Sequence, residues 1–427
     1  MSERTGCLVV GGGPAGMVLG LLLARAGVEV TVLEKHADFL RDFRGDTVHP
    51  STLQLLDELG LADRFAELPY SRVEEVAFPI GDDRQIVVAD FGRLRVPHPY
   101  VAMVPQWDLL NLLADAGREE PTFSLRMRTE MTELVQEGGR VRGVRYRTED
   151  GATGELRAHL VVACDGRWSA ARRQAGLRST DFPVPIDAWW FRLPREPDDE
   201  PATLRPRAGP GRFAVVIPRD RYLQIAYIGR KGTDPQVRAR GIERFRADVA
   251  ALMPEFAGRV DTLASMDDVK HLDVRVDRLR RWHADGLLCI GDAAHSMSPV
   301  GGVGINLAVQ DAVAAATLLA GPLRRGTVTP RDLAAVRTRR ILPTAAVQTV
   351  QRLMHRGLVM PILEGRRMSP PKAVLALLHR VPQLTAVPAY LIGVGLRPEH
   401  APDFARRTGS AAPTGRPAPH VRRLRTH

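Results

Sequence analysis

The chain has 427 residues, 44% of them hydrophobic and 26% charged, and a formal net charge of +11. The arginines are scattered among acids with no nucleic-acid-binding motif beside them, and no apolar run reaches the roughly 20 residues of a membrane span. We therefore expect neither a nucleic-acid partner nor a transmembrane segment. With no leader-like amino terminus and with its three cysteines in apolar strands, we expect a metal-free cytoplasmic protein with reduced thiols.

The amino-terminal segment predicts a strand, a glycine-rich turn and a helix. Apolar residues 7–10 are followed by Gly11, Gly13 and Gly16, and a helical pattern runs to residue 26. Gly11 would make the tight turn, Gly13 would let the backbone approach a pyrophosphate, and Gly16 would let the helix pack on the strand. A second strand over 28–33 ends at Glu34, whose carboxylate can bind ribose hydroxyls. The predicted dinucleotide site comprises Gly11, Gly13, Pro14, Ala15, Gly16, Glu34 and Lys35.

The middle of the chain alternates between helical and extended patterns. An extended piece leads to a helix over 51–59, residues 73–97 pattern as antiparallel strands, and a helix begins at Pro105-Gln106. Residues 124–164 and 182–230 are rich in strands, and a helix follows over 241–252. In the strand around 222–228, Tyr222 and Gln224 share one face and Tyr227 takes the other, so one of the two faces should line a pocket.

Two further apolar strands run into turns that contain aspartate and glycine. Residues 160–164 lead into Asp165-Gly166, and residues 287–290 lead into Gly291-Asp292. After the second turn come small residues and a helix over 307–319, and the positive end of a helix favours electron-rich ligand atoms. Residues 334–390 are helical in pattern, with breaks predicted at prolines such as Pro343.

These three motifs, in this order and spacing, resemble the group A flavoprotein monooxygenases, the para-hydroxybenzoate hydroxylase-like family, over residues 5–400. The resemblance implies an α/β fold with a Rossmann-like FAD-binding domain, a mixed β-sheet substrate domain interleaved with it, and a helical C-terminal segment. We expect the FAD-binding domain at 1–72, 101–178 and 265–340. The substrate domain would take 73–100 and 179–264, the C-terminal helices 341–406, and a disordered tail 407–427.

The resemblance also assigns roles to further residues around FAD. Arg44 would lie near the phosphates and the flavin, unless it forms a surface salt bridge with Asp42 or Asp46. Gln106 and Asp292 would meet the ribityl chain, and Pro299 would lie beside the isoalloxazine ring. The remaining expected cofactor residues are Asp165, Gly166, Gly291, Gly302, Gly304, Ile305 and Asn306.

The implied reaction is hydroxylation of an aromatic or polyketide-like small molecule, typical of secondary metabolism. NADPH or NADH would reduce FAD, and O₂ would form a C4a-hydroperoxyflavin. The reductant should dock transiently, because no second glycine fingerprint is present. His49 is a candidate base for a phenolic substrate, although a surface histidine at a helix start is the alternative. Pro299 would complete the catalytic side of the flavin, and Tyr222, Gln224 and Tyr227 are candidate substrate residues.

The same fold allows other outcomes. Epoxidation, Baeyer–Villiger oxidation and a redox-neutral cyclisation with FAD as a scaffold all stay open, as does a non-catalytic flavin-binding protein. No Gly-Trp-x-Trp-x-Ile segment of the halogenase kind occurs, so halogenation is not expected. We expect a monomer or a homodimer.

Overall fold

The computed structural model describes residues 3–40, 46–80, 84–197, 199, 205–209, 211–219, 221–365 and 380–407. In chain order its strands are β1 Glu3–Val10, β2 Val30–Leu33, β3 Thr47–Val48, β4 Ser71–Val73, β5 Glu75–Ile80, β6 Arg84–Asp90, β7 Val101–Met103, β8 Phe123–Arg126, β9 Thr129–Glu137, β10 Arg140–Thr148, β11 Thr153–Ala163, β12 Ser179–Phe182, β13 Ile186–Pro194, β14 Arg205–Gly209, β15 Arg212–Pro218, β16 Tyr222–Arg230, β17 Lys270–Leu272, β18 Val276–Leu279, β19 His283–Ala284 and β20 Leu287–Cys289.

Helices cover most of the remaining described chain. The α-helices are α1 Pro14–Arg25, α2 Pro50–Glu58, α3 Ala62–Ala66, α4 Gln106–Arg118, α5 Ala170–Gln174, α6 Asp234–Ala239, α7 Gly241–Leu252, α8 Gly304–Arg325, α9 Pro330–Met354, α10 Met360–Leu363 and α11 Ala386–Gly393. A π-helical segment, His355–Val359, joins α9 to α10. Short 3₁₀ turns occupy Phe91–Arg93, Pro254–Thr262, Met266–Asp268, Gly291–Ala293, Pro382–Thr385 and Asp403–Ala405.

The main sheet is built around parallel strands in the order β20-β11-β1-β2-β8. Strand β19 pairs antiparallel with β20, and β10 and β9 continue the sheet antiparallel from β11. Every residue of β2 is buried, as expected of a parallel strand that is covered on both faces. Helix α1 packs against both α4 and α8. The predicted α/β fold is confirmed.

The three predicted motifs meet at one edge of this sheet. Val10 of β1 is paired with Ala163 of β11, and Ala163 is paired with Cys289 of β20. The three strands therefore end side by side, just before the turns that contain the glycines and aspartates. In open α/β sheets ligands bind beyond the carboxyl ends of the strands, so the topology itself creates a site at this edge.

A second sheet is antiparallel, in the order β14-β15-β16-β13-β17. Because side chains alternate along a strand, its two faces have different neighbours. Phe191 of β13 packs against Phe245 of α7, and Trp189 belongs to the same core cluster. Trp190 belongs to a separate core cluster with Phe213 of β15. The second face is the one that faces the site described below.

Helix α8 is the one helix in the described part of the chain that is long and apolar enough to cross a membrane. It lies inside the fold, since 78% of the qualifying window is buried, and it packs against α1 and α9. We therefore assign it to the core of the protein.

The carboxy-terminal region is helical, as predicted, but the break predicted at Pro343 is wrong. Pro343 lies inside α9 and does not end it. A proline removes one backbone donor, but buried residues on both sides of Pro343 anchor α9. Arg340 binds Asp311, and Gln348 donates to the Asp277 carbonyl oxygen. Residues 408–427, most of the predicted tail, lie outside the described residues, as does Arg44. The domain limits given above stay a prediction.

Candidate active site

A cavity of about 1160 Å³ lies between the carboxyl edge of the main sheet and the second sheet. Its wall includes Gly11 and Asp165 at one end and Trp190 and Phe213 at the other. Pockets for one small ligand usually measure about 300–1,000 Å³. This cavity therefore has room for a cofactor and a second small molecule.

The glycines of the first turn have separate tasks. Gly11 has φ +104°, and a Cβ there would lie 2.5 Å from the Cys164 carbonyl oxygen. A Cβ on Gly16 would lie 2.0 Å from the Gly11 carbonyl oxygen, so Gly16 serves the packing of α1 and is not in the cavity wall. A Cβ on Gly13 would meet no atom within 4 Å. Gly13 alone leaves open space beside the amino terminus of α1, which no side chain caps.

Glu34 ties this turn to the end of β2. Its buried carboxylate accepts a hydrogen bond from the Gly12 amide at 2.8 Å and another from the His36 amide at 3.0 Å. Glu34 and Lys35 are both in the cavity wall. The predicted ribose-binding acid is thus held at the edge of the sheet by backbone donors.

Asp165 presents an unsatisfied acceptor to the same cavity. Its Oδ2 accepts from the Ala171 amide at 3.2 Å, while its Oδ1 is buried and has no hydrogen-bond partner within the described residues. Desolvation raises the pKa of this carboxyl group. Next to it, a Cβ on Gly166 would meet nothing within 4 Å. A buried acceptor without a partner costs about 1–3 kcal/mol, so a ligand hydroxyl placed here would stabilise the site.

The Gly291–Asp292 turn is anchored from behind. The Gly291 amide donates to Asp311 Oδ2 at 3.1 Å, and the fully buried Asp311 also binds His295 and Arg340. Gly291 therefore faces the core and is absent from the cavity wall. Asp292 is in the wall, and among the described residues nothing forms a hydrogen bond or an ion pair with its carboxylate. It is available to a ligand hydroxyl.

The loop that follows is fixed by α9. Gln351 accepts from the Ser298 amide at 3.2 Å and donates to the carbonyl oxygens of Ser298 and Val300 at 2.8 and 2.9 Å. His355 Nε2 lies 2.8 Å from the Ser298 hydroxyl. Pro299 sits in this clamped loop and lines the cavity. A π-helical segment often marks a functional site, and here it carries His355.

Helix α8 begins directly after this loop. Gly302, Gly304 and Ile305 line the cavity, and no side chain caps the helix amino terminus. Asn306 does not line it, because its side chain turns towards α2 and accepts from Ser51 Oγ at 2.7 Å and from Thr52 Oγ1 at 2.9 Å. The structure does not place this predicted cofactor residue on the cavity wall.

A polar cluster of Asp46, Arg219 and Gln224 lies in the cavity wall, and we call it the arginine cluster. The Asp46 carboxylate accepts from the Gln106 amide at 3.1 Å and pairs with Arg219 Nη2. Gln224 Oε1 accepts from both Nε and Nη2 of Arg219 at 3.1 Å. Sequence reasoning missed Arg219, which lies directly after β15 in the connection to β16, where a charged residue is usually exposed to solvent.

His49 is buried in the wall rather than at the surface. It is only 1% exposed, it lies immediately before α2, and its Nδ1 has no hydrogen-bond partner within the described residues. Burial lowers its pKa to about 4. The imidazole is therefore neutral near neutral pH, and its role as a base stays a prediction.

The two predicted substrate tyrosines are not in the cavity wall. Tyr227 packs edge-on against Trp189 and contacts Phe245 on the opposite face of the sheet. Tyr222 lies under the Arg192 guanidinium, 4.7 Å from its ring centre. Strand alternation accounts for Tyr227, and of the three predicted substrate residues the structure brings Gln224 to the cavity.

Most of the predicted cofactor residues do share this one cavity. Those in its wall are Gly11, Gly13, Pro14, Ala15, Glu34, Lys35, Gln106, Asp165, Gly166, Asp292, Pro299, Gly302, Gly304 and Ile305. The open space at Gly13, the unpaired Asp165 oxygen and two uncapped helix amino termini suit a ligand with a diphosphate and several hydroxyls. The residues present therefore fit FAD.

Comparison with known proteins agrees with this geometry. A family model described as "FAD binding domain" matches residues 4–350. A 6-methylpretetramide 4-monooxygenase from Streptomyces rimosus is 36% identical over 398 residues, which cover 90% of this chain and 91% of that protein. For some other curated relatives the match covers only about 61% of their length.

Solved structures show the same fold. The anhydrotetracycline hydroxylase OxyS from Streptomyces rimosus is similar with a TM-score of 0.73 at 25% identity, over 92% of this chain and 77% of that one. The Diels–Alderase PyrE3 is similar with a TM-score of 0.69 at 23% identity, over 92% of this chain and 80% of that one. At that level of identity the second comparison speaks for the fold only.

Proposed function

The chain belongs to the FAD binding domain family of flavin-dependent monooxygenases, and on this premise we propose that it hydroxylates a polycyclic aromatic compound of the polyketide type. FAD is its cofactor, and NADPH or NADH would be the reductant. The observation that carries the proposal is that the cofactor residues line the same cavity as an apolar part of its wall, which includes Trp190, Phe213 and Ile228 and which we call the apolar chamber. The 36% identical relative named for a 6-methylpretetramide substrate supports the substrate class.

The chamber suits a largely apolar ligand. The second sheet contributes Trp190, Phe213 and Ile228, and the small sheet of β3, β7 and β4 contributes Val101 and Met103. Burying apolar surface is worth about 25 cal/mol per Å², so each fused ring that enters the chamber adds affinity. Most of the chamber has no charge that would select against such rings.

The proposed reaction balances as follows: an aromatic C–H, O₂, NADPH and a proton give C–OH, water and NADP⁺. When bound, FAD would accept hydride from the reductant and activate O₂. The residues of the chain would bind FAD and the aromatic substrate and orient them relative to each other. The amino termini of α1 and α8 stabilise negative charge by about 0.3–1 kcal/mol, and by up to about 2 kcal/mol when partly buried. The apolar chamber excludes water from the ring that reacts.

The test is an oxidation assay with the FAD-loaded protein. NADPH and NADH consumption and O₂ uptake are followed with 6-methylpretetramide, with simple phenol and without any aromatic compound. We expect the polycyclic compound to stimulate consumption most strongly and to yield a product one oxygen atom heavier. Consumption that no aromatic compound changes, with all O₂ recovered as hydrogen peroxide, would contradict the proposal.

A redox-neutral cyclisation is the second candidate, because the Diels–Alderase PyrE3 has this fold. The two candidates differ in what they consume. A cyclase forms its product from a polyene substrate under nitrogen with oxidised FAD and no NADPH. A hydroxylase forms nothing under those conditions.

We also propose that the protein acts in the cytoplasm, as a monomer or a homodimer. Cys7, Cys164 and Cys289 are free thiols, and burial raises the pKa of Cys7 to about 12. Unpaired and unreactive cysteines suit a reducing compartment. Light scattering of the purified holoprotein would give the oligomeric state.

A further inference from the structure

One guanidinium in the apolar chamber is only partly used by the protein. Arg219 is 5% exposed and lines the cavity. Its Nε and Nη2 bind Asp46 and Gln224, but its Nη1 is buried and has no hydrogen-bond partner within the described residues. A buried donor without a partner is rare and calls for an explanation.

We propose that Arg219 is a substrate-recognition residue whose Nη1 binds an oxygen substituent, a phenolate, enolate or ring carbonyl, on the aromatic substrate. This inference rests on the proposed function and deepens it. The ligand oxygen would accept hydrogen bonds from the Nη1 N–H groups that the protein leaves unpaired. The arginine cluster would thereby fix the orientation of the rings in the chamber.

The contacts of Arg219 make this donor rigid. A guanidinium is planar, so bonds from Nε and Nη2 to Gln224 determine the direction of Nη1. Asp46 is held in turn by the Gln106 amide at 3.1 Å. The donor is therefore oriented before the ligand arrives, and little side-chain freedom is lost on binding.

Charge balance favours oxygen ligands in more than one form. Asp46 neutralises the guanidinium, so the pair adds no net charge to the chamber. Desolvation raises the pKa of Asp46 and lowers that of Arg219, and the mutual attraction of the two groups opposes both shifts. A neutral carbonyl oxygen can bind to such a pair, and a phenolate oxygen is bound more strongly because the hydrogen bond is charge-assisted.

A second unpaired donor lies on the same face of the sheet. Trp190 Nε1 is buried without a hydrogen-bond partner in the described residues, and Trp190 lines the cavity. Trp190 is paired with Ala226 across the ladder, two residues from Gln224 on the same face of β16. The chamber thus offers donors to its ligand, which suits a ring system that carries oxygen acceptors.

The test compares two tricyclic ligands that differ in one group, 1-hydroxyanthracene and 1-methylanthracene. Each is titrated into the FAD-loaded protein, and binding is read from the change in the flavin absorbance and by calorimetry. We expect the hydroxyl compound to bind the wild type about 10- to 150-fold more tightly, the ratio for a hydrogen bond to a charged group. Arg219→Met should abolish that ratio and leave the affinity for the methyl compound unchanged.

Two further variants separate recognition from folding. Arg219→Met leaves a buried carboxylate unpaired, which destabilises a protein, so the double change Arg219→Met with Asp46→Asn removes both charges. Arg212→Met is the matched control, because Arg212 lies on the same sheet and pairs with Asp248 outside the cavity wall. We expect the double variant to lose the preference and the control to keep it.

The inference is overturned by three results. The first is a wild type that does not prefer the hydroxyl compound, and the second is a preference that survives in both Arg219 variants. The third is an equal loss of affinity for the two ligands in the Arg219 variants, which would mean that Arg219 has a purely structural role. Turnover reports separately on the proposed function. Suppose that the preference for the hydroxyl compound depends on Arg219, but 6-methylpretetramide does not stimulate NADPH consumption. That result would support the proposed oxygen-binding role of Arg219 and contradict the proposed hydroxylation.

Discussion

Two glycines three residues apart should respond to the same substitution in opposite ways. Gly13 has φ −77° and ψ −176°, which alanine adopts freely, and a Cβ there meets no protein atom within 4 Å. Gly16 would place its Cβ 2.0 Å from the Gly11 carbonyl oxygen and 3.2 Å from Val9 Cγ1. Gly13→Ala should therefore weaken FAD binding, and Gly16→Ala should lower the free energy of unfolding.

The expected magnitudes follow from these contacts. The methyl group of Gly13→Ala would enter the open space that we assign to the FAD pyrophosphate. Losing one hydrogen bond to a charged group would weaken FAD binding by about 10- to 150-fold. The apoprotein should be as stable as the wild type, or more stable by about 0.4–1 kcal/mol. Gly16→Ala should cost at least about 1–3 kcal/mol of unfolding free energy, the usual range for overpacking.

Two measurements on each variant make the comparison. FAD affinity is obtained by titrating the apoprotein and following the quenching of flavin fluorescence, and stability is obtained from urea unfolding of the apoprotein. If Gly13→Ala binds FAD like the wild type, the pyrophosphate does not lie at this turn. If Gly16→Ala leaves the apoprotein intact, the packing argument is wrong.

Three more variants test the support around the site. Arg340→Met should lower the unfolding free energy by about 3–5 kcal/mol, because it removes the cation that binds the buried carboxylates of Asp311 and Glu399. Arg339→Met, whose half-exposed guanidinium binds the same Glu399, should cost at most about 1 kcal/mol; equal losses in urea melts would refute the distinction. His355 has its pKa lowered to about 4 by burial, so the unfolded state binds more protons between about pH 6.5 and 4. The unfolding free energy should therefore fall by about 1.4 kcal/mol for each unit by which the pH is lowered in this range. His355→Gln should remove that part of the pH dependence, which urea melts at several pH values would show. Asp292→Ala should weaken FAD binding by about 10- to 150-fold with an unchanged apoprotein melt, and unaltered affinity would remove Asp292 from the site.

The cofactor half of the site was predictable because its signals are local. Each motif is a short apolar strand followed by a turn that only certain residues can form. Parallel pairing then places the three turns together at the ends of β1, β11 and β20. The glycine fingerprint pointed to Gly11, and the family resemblance pointed to Asp165 and Asp292, without knowledge of distant contacts; all three line the cavity.

The substrate half was not predictable in the same way. Asp46 and Arg219 are 173 residues apart in sequence, and nothing nearby marks either as buried. Strand alternation did separate Gln224 from Tyr227, but it could not say which face meets the cavity. That choice depends on the packing of α7 against the face that carries Trp189.

The sequence contained a signal, which was not used, for the residues that support the loop around Ser298. Five polar residues of the C-terminal helices are buried at helical spacing, namely Arg340, Thr344, Gln348, Gln351 and His355. Polar residues repeating every three or four positions indicate a helix face that binds other polar groups. Here that face holds the backbone of the loop around Ser298.

The proposed hydroxylation transfers one oxygen atom from O₂ to an aromatic ring of the substrate. The direct measurement is one turnover experiment with the FAD-loaded protein, NADPH, 6-methylpretetramide and isotopically labelled O₂, followed by mass spectrometry of the product. We expect a hydroxylated product that carries one labelled oxygen atom, formed in proportion to the NADPH consumed. A product whose added oxygen is unlabelled, or NADPH consumption that yields only hydrogen peroxide, would contradict the proposed hydroxylation.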